Sequence, residues 1–527
     1  MTSIEATDLE VGGFSESPPW TIDPEDLPWR EGIEAIRRRT RDEVPLLLAP
    51  RKVPPARRMG RVARELGAAL GAWYALDRRK GKAESRASVS RRLRLAFQHL
   101  GPTYIKLGQI LSSGEGIFPE ELVSQFKMLR DKVPAESFDV VRRTVEADLA
   151  RPLEAVFSSF ERTPIAAASI AQVHAARLRT GEDVVVKVQR PRVAELVRLD
   201  LAVMSWLAPH LTGRIPIAAL ANPPALIELF AQTIVEELDF RLEADNMLAV
   251  AAVLAETDQR AIVIPRPHPR LVTRRVLVME RLDGFSWDDV DGMKAAGIDT
   301  EAVLRAGTVS FLEGAMLFGV FHGDLHGGNL FVQDGGRVAL LDFGITGRLD
   351  ESQRLSFLRL LIGGTSNDVR GQVEALRDLG ALPADCVVDD VIRDLGLNKP
   401  AQDIVMLSAE ELTAEIRELT KGLLAYGARL PKELMLFVKN MLFLDGAVAT
   451  LAPEVDLLGE IASIAMYFAS RHGDRITRDI GIDPRETKVD LDGVRASMGL
   501  PTDVRSINYR EIQNRREQLR QKFDKPR

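Results

Sequence analysis

Cysteine is nearly absent from this sequence, since Cys386 is the one cysteine among 527 residues. A single thiol cannot form an internal disulfide, and no signal-peptide pattern opens the chain, so we expect a reducing, cytoplasmic compartment. Long apolar runs are also missing: the two best stretches, 308–321 and 457–470, are short and each carries a glutamate. We therefore predict no transmembrane helix.

Positive charge is not in excess either. The chain has 76 acidic and 70 basic residues, a net charge of -6 and a pI near 5.9. A nucleic-acid-binding domain needs a basic face to neutralise phosphates, so we expect no nucleic-acid partner. A hydrophobic content of 45% is enough for a large core, and the length predicts two or three domain-sized units.

Apolar periodicity divides the chain into five segments. Residues 1–57 lack this periodicity. We therefore predict a disordered N-terminal segment without a core, with at most one short helix near 32–41. The following segments are a helical extension (58–149), a small sheet with a helical insertion (150–285), a mainly helical region (286–471) and a charged, peripheral tail (472–527).

The sheet is indicated by short β-branched runs. Residues 169–178 and 183–189 flank Thr180-Gly181-Glu182, which is a hairpin signal. Residues 274–280 read as a further strand, and 330–333 and 337–341 form a strand pair around a glycine turn. Together with the helices, these runs predict an α+β fold.

The strongest chemical signal is the segment HGDLHGGN (322–329), followed by a hairpin and Leu341-Asp342-Phe343-Gly344. Phosphoryl transfer needs a carboxylate near the acceptor and hard oxygen ligands for magnesium, and Asp324, Asn329 and Asp342 supply those groups. Each aspartate alone could simply cap a turn, but their joint spacing favours catalysis. Lys187 ends the run Val184-Val185-Val186-Lys187, which is typical either of a solvated strand edge or of a lysine that binds nucleotide phosphates.

Four elements occur in a fixed order along the chain: Lys106-Leu107-Gly108-Gln109, the alanine-rich run 165–174, Glu237-Leu238-Asp239, and HGDLHGGN with LDFGITGRLD. This order resembles the UbiB-type (aarF/ubiquinone-biosynthesis-associated) atypical protein kinase-like family, from about Arg58 to Pro453. The resemblance implies a bilobal protein-kinase-like fold whose N-terminal extension packs over the site where a protein substrate would dock.

The resemblance also implies roles for single residues. Lys106 and Gln109 become active-site residues of the extension, with Glu237 as the partner of Lys106, and Glu243 becomes the partner of Lys187, with Glu195 as its rival. The expected catalytic set is Asp324, Lys187, Lys106 and Gln109. The expected metal ligands are Asn329 and Asp342, and the expected nucleotide contacts are Ala166, Ala167, Ala168, Ser169, Lys187, Glu237, Glu243, and the main chain of Glu280 and Leu282.

Three features of the sequence depart from the patterns of protein kinases or of the UbiB-type family. No Ala-Pro-Glu segment follows Asp342 closely, since Ala452-Pro453-Glu454 lies 110 residues later. Asp350-Glu351-Ser352-Gln353 reads as a capped helix start, which argues against a peptide-docking segment. Residues 112–119 (SSGEGIFP) replace the basic turn usual in the family. His326 stands where protein kinases have a lysine or arginine, so a permanent cation is replaced by a group that titrates near neutrality.

The sequence thus predicts an atypical kinase or ATPase that binds ATP or ADP with Mg²⁺. Through the resemblance, it is expected to support isoprenoid-quinone or other lipid metabolism at a membrane surface, with a protein partner in lipid biosynthesis. Two alternatives stay open. One is a small-molecule phosphotransferase of the aminoglycoside or choline kinase type, and the other is a non-catalytic, nucleotide-gated partner of a lipid-biosynthesis complex.

A basic amphipathic helix is expected within residues 58–94. Its apolar stripe either packs on the core or binds the inner face of an anionic membrane peripherally. In the second case Leu66, Leu70 and Trp73 would enter the headgroup boundary. The residues facing anionic lipid would be Arg61, Arg64, Arg78, Arg79, Lys80 and Lys82.

Overall fold

The computed structural model of the chain describes residues 13–15, 18–49, 55–112, 119–129, 134–211, 223–366, 368–397, 422–423, 425–428, 431–487, 490–497, 500, 504–512 and 514. The chain forms two compact units. The first unit comprises Met1–Ala252, Ile264–Leu282 and Leu341–Ile345, and the second comprises Val253–Val263, Asp283–Leu340 and Thr346–Arg527. Residues 113–118, within the segment that replaces the basic turn usual in the family, fall outside the described residues.

Helices make up most of both units. They are α1 (Ile33–Leu48), α2 (Ala56–Leu76), α3 (Lys82–Leu100), α4 (Pro102–Ser112), α5 (Glu120–Lys127), α6 (Phe138–Leu149), α7 (Leu153–Val156), α8 (Val193–Leu211), α9 (Pro223–Glu236), α10 (Phe240–Glu256), α11 (Val290–Ala295), α12 (Thr300–Glu313), α13 (Glu351–Ser366), α14 (Val369–Asp378), α15 (Val388–Asp394), α16 (Lys432–Leu451), α17 (Leu457–Ile480) and α18 (Leu491–Ser497).

The strands are short. They are β1 (Phe157–Phe160), β2 (Ala166–Ala167), β3 (Ala171–Leu178), β4 (Asp183–Gln189), β5 (Ile262–Val263), β6 (Pro267–Val272), β7 (Val276–Glu280), β8 (Phe285–Ser286), β9 (Val320–His322), β10 (Leu330–Val332), β11 (Val338–Leu340) and β12 (Thr346–Arg348). The predicted α+β class is confirmed.

The sheet of the first unit is antiparallel, with strand order β1-β3-β4-β7-β6 and with β2 paired to β3. Gly181 has a φ of 112°, which a residue with a Cβ rarely adopts, and this turn joins β3 to β4 as the hairpin signal predicts. Lys187 lies opposite Val173 on one side and Leu277 on the other. It is therefore a central-strand residue and not a solvated edge charge.

The predicted helical extension is confirmed, and its core is shared with α8 and α9. Val62, Phe97, Tyr104 and Phe126 lie in one buried cluster that also contains Leu201, Ile227 and Phe230. A buried ion pair fixes α2 in this cluster, because Arg58 Nε donates to Asp200 Oδ1 at 2.5 Å. Burial raises the pKa of Asp200 against the opposing charge of Arg58.

The prediction of a disordered lead without a core is wrong for the described part of residues 13–49. Phe14, Ile22 and Trp29 are buried, and α1 extends to Leu48, well beyond the expected short helix. Arg37 Nη2 donates to Asp245 Oδ2 at 2.7 Å and both side chains are buried. Widely spaced apolar anchors and several ion pairs hold this segment, so it shows no regular periodicity.

In the second unit, β5, β11, β10 and β8 form a four-stranded sheet, and β12 pairs with β9. The predicted hairpin between β10 and β11 is confirmed, with Gly335 and Gly336 at φ values of 87° and 85°. The predicted capped start of α13 is also confirmed, because Gln353 N donates to Asp350 Oδ1 and Asp350 N donates to Gln353 Oε1.

The expectation of a purely peripheral tail from 472 onward is wrong for part of that segment. Helix α17 continues to Ile480, and Leu500, Ile507 and Ile512 form a buried cluster with Leu458. In this segment, residues 488–489, 498–499, 501–503, 513 and 515–527 fall outside the described residues. The C-terminal segment therefore contributes to the core of the second unit.

Helix α16 is long and apolar enough to cross a membrane by length and composition, with a mean hydropathy of 1.6 and 33% of its most apolar window buried. This is weak evidence for a membrane span, because core helices pass the same test. The sequence did not predict this helix as one of the long apolar stretches. Its buried Asn440 and Lys432 are the kind of polar residue that a packed core helix carries.

Candidate active site

The first candidate cluster surrounds Lys187 in the first unit. Lys187 Nζ donates to Glu243 Oε1 at 2.7 Å and to Asp342 Oδ1 at 3.0 Å. The predicted Lys187–Glu243 pair is confirmed. Glu195, the alternative partner, does not contact Lys187, because it pairs with Arg192 on the protein surface. The sequence therefore predicted the correct glutamate partner of Lys187, although the two residues are 56 positions apart.

Burial and charge act against each other in this cluster. Burial alone would lower the pKa of Lys187, but the carboxylates of Asp342 and Glu243 outweigh it and raise that pKa above its usual value. Burial raises the pKa of Glu243 despite the charge of Lys187, and Asp342 adds to the rise. The lysine therefore stays charged, and a phosphate could replace the Asp342 contact without leaving Glu243 unpaired.

Asp342 occupies a strained backbone conformation. Its φ is 58°, one of few positive values among the described non-glycine residues, and such strain is typical of functional positions. The next residue, Phe343, is fully buried, and its carbonyl oxygen accepts a hydrogen bond from Asn246 Nδ2 at 3.0 Å. The Asp342 carboxylate is 45% exposed, and its Oδ1 accepts hydrogen bonds from Lys187 Nζ at 3.0 Å and from Gly344 N at 3.2 Å.

The helical extension contributes a second ion pair to the first unit. Lys106 Nζ lies 2.8 Å from Glu237 Oε1, and both side chains are nearly buried. A Cβ placed on Gly344 would lie 3.4 Å from Glu237 Cγ, so this pair lies beside the Asp-Phe-Gly segment. The predicted partnership of Lys106 and Glu237 is confirmed. Gln109 Nε2 donates weakly to Leu129 O at 3.5 Å.

The alanine-rich loop is a tight turn between β2 and β3. Ala166 and Ala167 pair with Val173 and Gln172, and Ala168 N donates to Ala171 O at 2.8 Å. Ala168 is exposed, whereas Ser169 is buried.

One residue that supports this loop was missed from sequence. Arg190 Nε donates to Ala168 O at 3.0 Å, and its other nitrogens contact Glu136 Oε1 and Pro134 O. Arg190 directly follows β4 and is close in sequence to Lys187. An arginine three residues beyond a strand lysine carries no signal of this role.

The main chain of Glu280 and Leu282, which is expected to contact the nucleotide, is only partly available. Glu280 N donates to Arg266 O at 2.8 Å, so its amide is already used within the sheet. The Glu280 carboxylate accepts from Ser15 Oγ at 2.5 Å and from Arg266 N at 3.2 Å. Leu282 is half-buried at the end of the first unit. The Glu280 side chain therefore anchors the N-terminal segment.

The second unit holds the loop that contains Asp324. Asn329 Nδ2 donates to the Asp324 carbonyl oxygen at 3.1 Å, and Asp324 N donates to His322 Nδ1 at 3.1 Å. Lys439 Nζ, from α16, donates to Asp324 Oδ1. The adjacent Asn440 is fully buried, and its Oδ1 accepts from Leu325 N at 3.0 Å. Sequence reasoning missed both α16 residues.

Comparisons with known proteins show to which sequences this chain is similar. The profile of the ABC1 atypical kinase-like domain matches residues 128–376. An uncharacterised protein of Mycobacterium tuberculosis is 36% identical over 391 residues, which cover 72% of this chain and 78% of that protein. The probable protein kinase UbiB of Pseudomonas paraeruginosa is 34% identical over 407 residues, which cover 75% of this chain and 73% of that protein.

Two further matches are more distant. The chloroplastic protein Activity of bc1 complex kinase 1 of Arabidopsis thaliana is 32% identical over 373 residues, which cover 70% of this chain and 54% of that protein. The solved complex of Rv3197 with erythromycin, from Mycobacterium tuberculosis, has a TM-score of 0.36 and 23% identity, and covers 62% of this chain and 89% of that one. The sequence relatives establish that this chain belongs to the ABC1, or UbiB-type, atypical kinase-like family, with its protein-kinase-like fold.

Proposed function

We propose that the protein binds ATP or ADP with Mg²⁺ and transfers or releases the terminal phosphoryl group. The contact that best supports this proposal is Lys187 Nζ between Glu243 and Asp342, at 2.7 Å and 3.0 Å. A nearly buried ammonium held by one glutamate can bind nucleotide phosphates as a point charge. Its second contact, Asp342, is the exposed carboxylate expected to bind metal.

The chemistry of the donors fits Mg²⁺. No group of three or more His, Cys, Asp or Glu side chains forms a metal cage among the described residues. Magnesium on a nucleotide does not need one, because one or two protein oxygens join phosphate oxygens and water. Asp342 would supply a carboxylate oxygen and Asn329 an amide oxygen. When bound, the ion neutralises charge on the phosphates.

Individual side chains of the protein would then have separate roles in the reaction. Lys187 holds the phosphates, and Asp324 orients the acceptor hydroxyl or water and accepts its proton. A bond forms between the acceptor oxygen and the γ-phosphorus while the bond to the β,γ-bridging oxygen breaks, and its electron pair leaves with ADP. The acceptor is water for an ATPase and a hydroxyl group for a kinase.

The extension favours this proposal over a small-molecule phosphotransferase. Glu237 lies beside Gly344, and Lys106 links the extension to Glu237, so the extension reaches the Asp-Phe-Gly segment through this ion pair. An open small-molecule pocket would not need this cover. We propose that Lys106 and Gln109 restrict which acceptor reaches the nucleotide.

We also propose peripheral contact with an anionic lipid surface as the setting of this activity, in lipid or isoprenoid-quinone metabolism. The apolar residues expected to insert need correction, because Leu66 packs on the core and Trp73 Nε1 donates to Ser85 Oγ. Leu70, Tyr74 and Leu76 are the exposed apolar residues of α2. Arg78 and Arg79 follow them and could contact anionic headgroups.

Nucleotide-induced thermal stabilisation tests the core of the proposal. ATP with Mg²⁺ should raise the melting temperature of the intact protein, since a ligand that binds only the folded state stabilises it. Asp342→Asn should abolish the part of the shift that depends on Mg²⁺, because a neutral amide loses the charge that holds the ion. An unchanged shift in the variant would show that Asp342 is not a metal ligand, and no shift in the unaltered protein would contradict nucleotide binding.

A further inference from the structure

The loop that contains Asp324 lacks the cation that ordinary protein kinases place two residues after the catalytic aspartate. His326 stands at that position, and its Nδ1 accepts a hydrogen bond from Gly328 N at 3.1 Å. A histidine is not a permanent cation, and in this contact Nδ1 acts as an acceptor for a backbone amide. His326 thus caps the short turn Gly327–Asn329 instead of supplying positive charge.

A different residue brings a permanent cation to the same carboxylate. Lys439 Nζ donates to Asp324 Oδ1, and the two side chains are 15% and 20% exposed. The two residues are 115 positions apart, so the contact depends on the fold of the second unit and not on local sequence. A cation in this position favours the ionised form of the carboxylate and limits its rotation.

Helix α16 is fixed to the loop by the residue next to Lys439. Asn440 Nδ2 donates to His322 O at 2.5 Å, while its Oδ1 accepts from Leu325 N, so the amide binds the main chain on both sides of Asp324. One turn earlier, Phe437 stacks on Phe311 with ring centroids 5.3 Å apart. Lys439 therefore projects from a packed helix with little freedom to move away from Asp324.

We propose that Lys439 is the positioning residue for Asp324 and replaces, from a distant helix, the cation that His326 does not provide. This inference rests on the proposed phosphoryl-transfer function. Lys439 acts through Asp324: it holds the carboxylate ionised and directed so that one oxygen can accept the proton of the acceptor. Its positive charge also reduces repulsion between Asp324 and the anionic phosphates.

Substitution of Lys439 tests the proposal in the full-length protein. Lys439→Ala removes the ammonium and leaves space for it, whereas Lys439→Met removes the charge but fills the space. The rate constant kcat for ATP hydrolysis should fall about 10- to 100-fold in both variants, the usual effect of losing a residue that orients a functional group. The KM for ATP and the nucleotide-induced thermal shift should change less than about twofold. Lys294→Met is the matched control, because Lys294 is exposed on α11 of the same unit.

Chemical rescue separates positioning from structural support. Propylammonium supplies the part of the side chain that Lys439→Ala lacks, so it should restore kcat saturably in that variant and leave Lys439→Met unchanged. Loss of kcat in both variants without rescue of Lys439→Ala, or equal stimulation of all variants, would overturn the positioning role.

The same assay separates this inference from the proposed function. Hydrolysis by the unaltered protein that persists within about twofold in Lys439→Met would overturn the role of Lys439 alone. Absence of hydrolysis in the unaltered protein, together with absence of any kinase activity, would overturn the proposed function and the role that depends on it.

Discussion

Removal of the Lys187 ammonium should destabilise the protein through the group it leaves behind. Glu243 is 4% exposed and Lys187 is 11% exposed. Loss of one partner leaves a buried carboxylate without its counter-charge, which costs about 3–5 kcal/mol of folding free energy. Asp342 adds a like charge to the same cluster, so Lys187→Met leaves two carboxylates without the cation between them.

A double-mutant cycle measures this coupling. Lys187→Met should lower the free energy of unfolding, measured by urea titration, by about 3–5 kcal/mol. Lys187→Met combined with Glu243→Gln should recover most of that loss, because the neutral amide tolerates burial better than a lone carboxylate. Glu195→Gln serves as the control and should change stability by less than about 0.5 kcal/mol, since Glu195 and Arg192 form an exposed pair.

Additive effects of Lys187→Met and Glu243→Gln would refute the reasoning. Coupling between Lys187→Met and Glu195→Gln would refute it more strongly, because the structure places Glu195 on the surface with Arg192. A coupling energy of about 2 kcal/mol or more between Lys187 and Glu243 is the expected outcome.

Two further predictions follow from the first unit. Asp342→Gly should be more stable to urea than Asp342→Ala by about 1 kcal/mol, because glycine adopts the φ of 58° without strain; equal stabilities would contradict strain at this position. Burial lowers the pKa of His268 to about 4 from its ordinary 6.5. The unfolded chain therefore binds the extra proton, and stability from this group is lost as pH falls from 6.5 to about 4, by up to about 3 kcal/mol. The urea midpoint of His268→Gln should fall less steeply over that range, and parallel curves would contradict the assignment.

The elements that sequence predicted correctly depend on local or strongly patterned signals. The β3–β4 hairpin combines β-branched runs with a glycine turn, and the β10–β11 hairpin has two glycines at positive φ. The Lys187–Glu243 and Lys106–Glu237 contacts were assigned through the order of family motifs. Side-chain spacing along a single helix could not have predicted either pair, because the two residues of each pair lie on different structural elements.

The features that sequence missed depend on distant packing. Lys439 reads as a helix-surface charge, and nothing within its own helix indicates Asp324 as its partner. The sequence of helix α16 was not recognised as a long apolar run because Lys439 and Asp445 interrupt it. The N-terminal segment is rich in charge and proline, which resembles disorder, yet isolated side chains such as Phe14 insert into the core.

The rate of phosphate release from ATP with Mg²⁺, compared between the unaltered protein and Asp324→Asn, tests the central claim most directly. We predict release by the unaltered protein, measured with and without anionic liposomes, and a loss of about 10²- to 10⁴-fold in Asp324→Asn with nucleotide-induced thermal stabilisation retained. Phosphate release at the same rate in Asp324→Asn would contradict the account, as would thermal stabilisation by nucleotide without phosphoryl transfer to water or any hydroxyl acceptor in the unaltered protein.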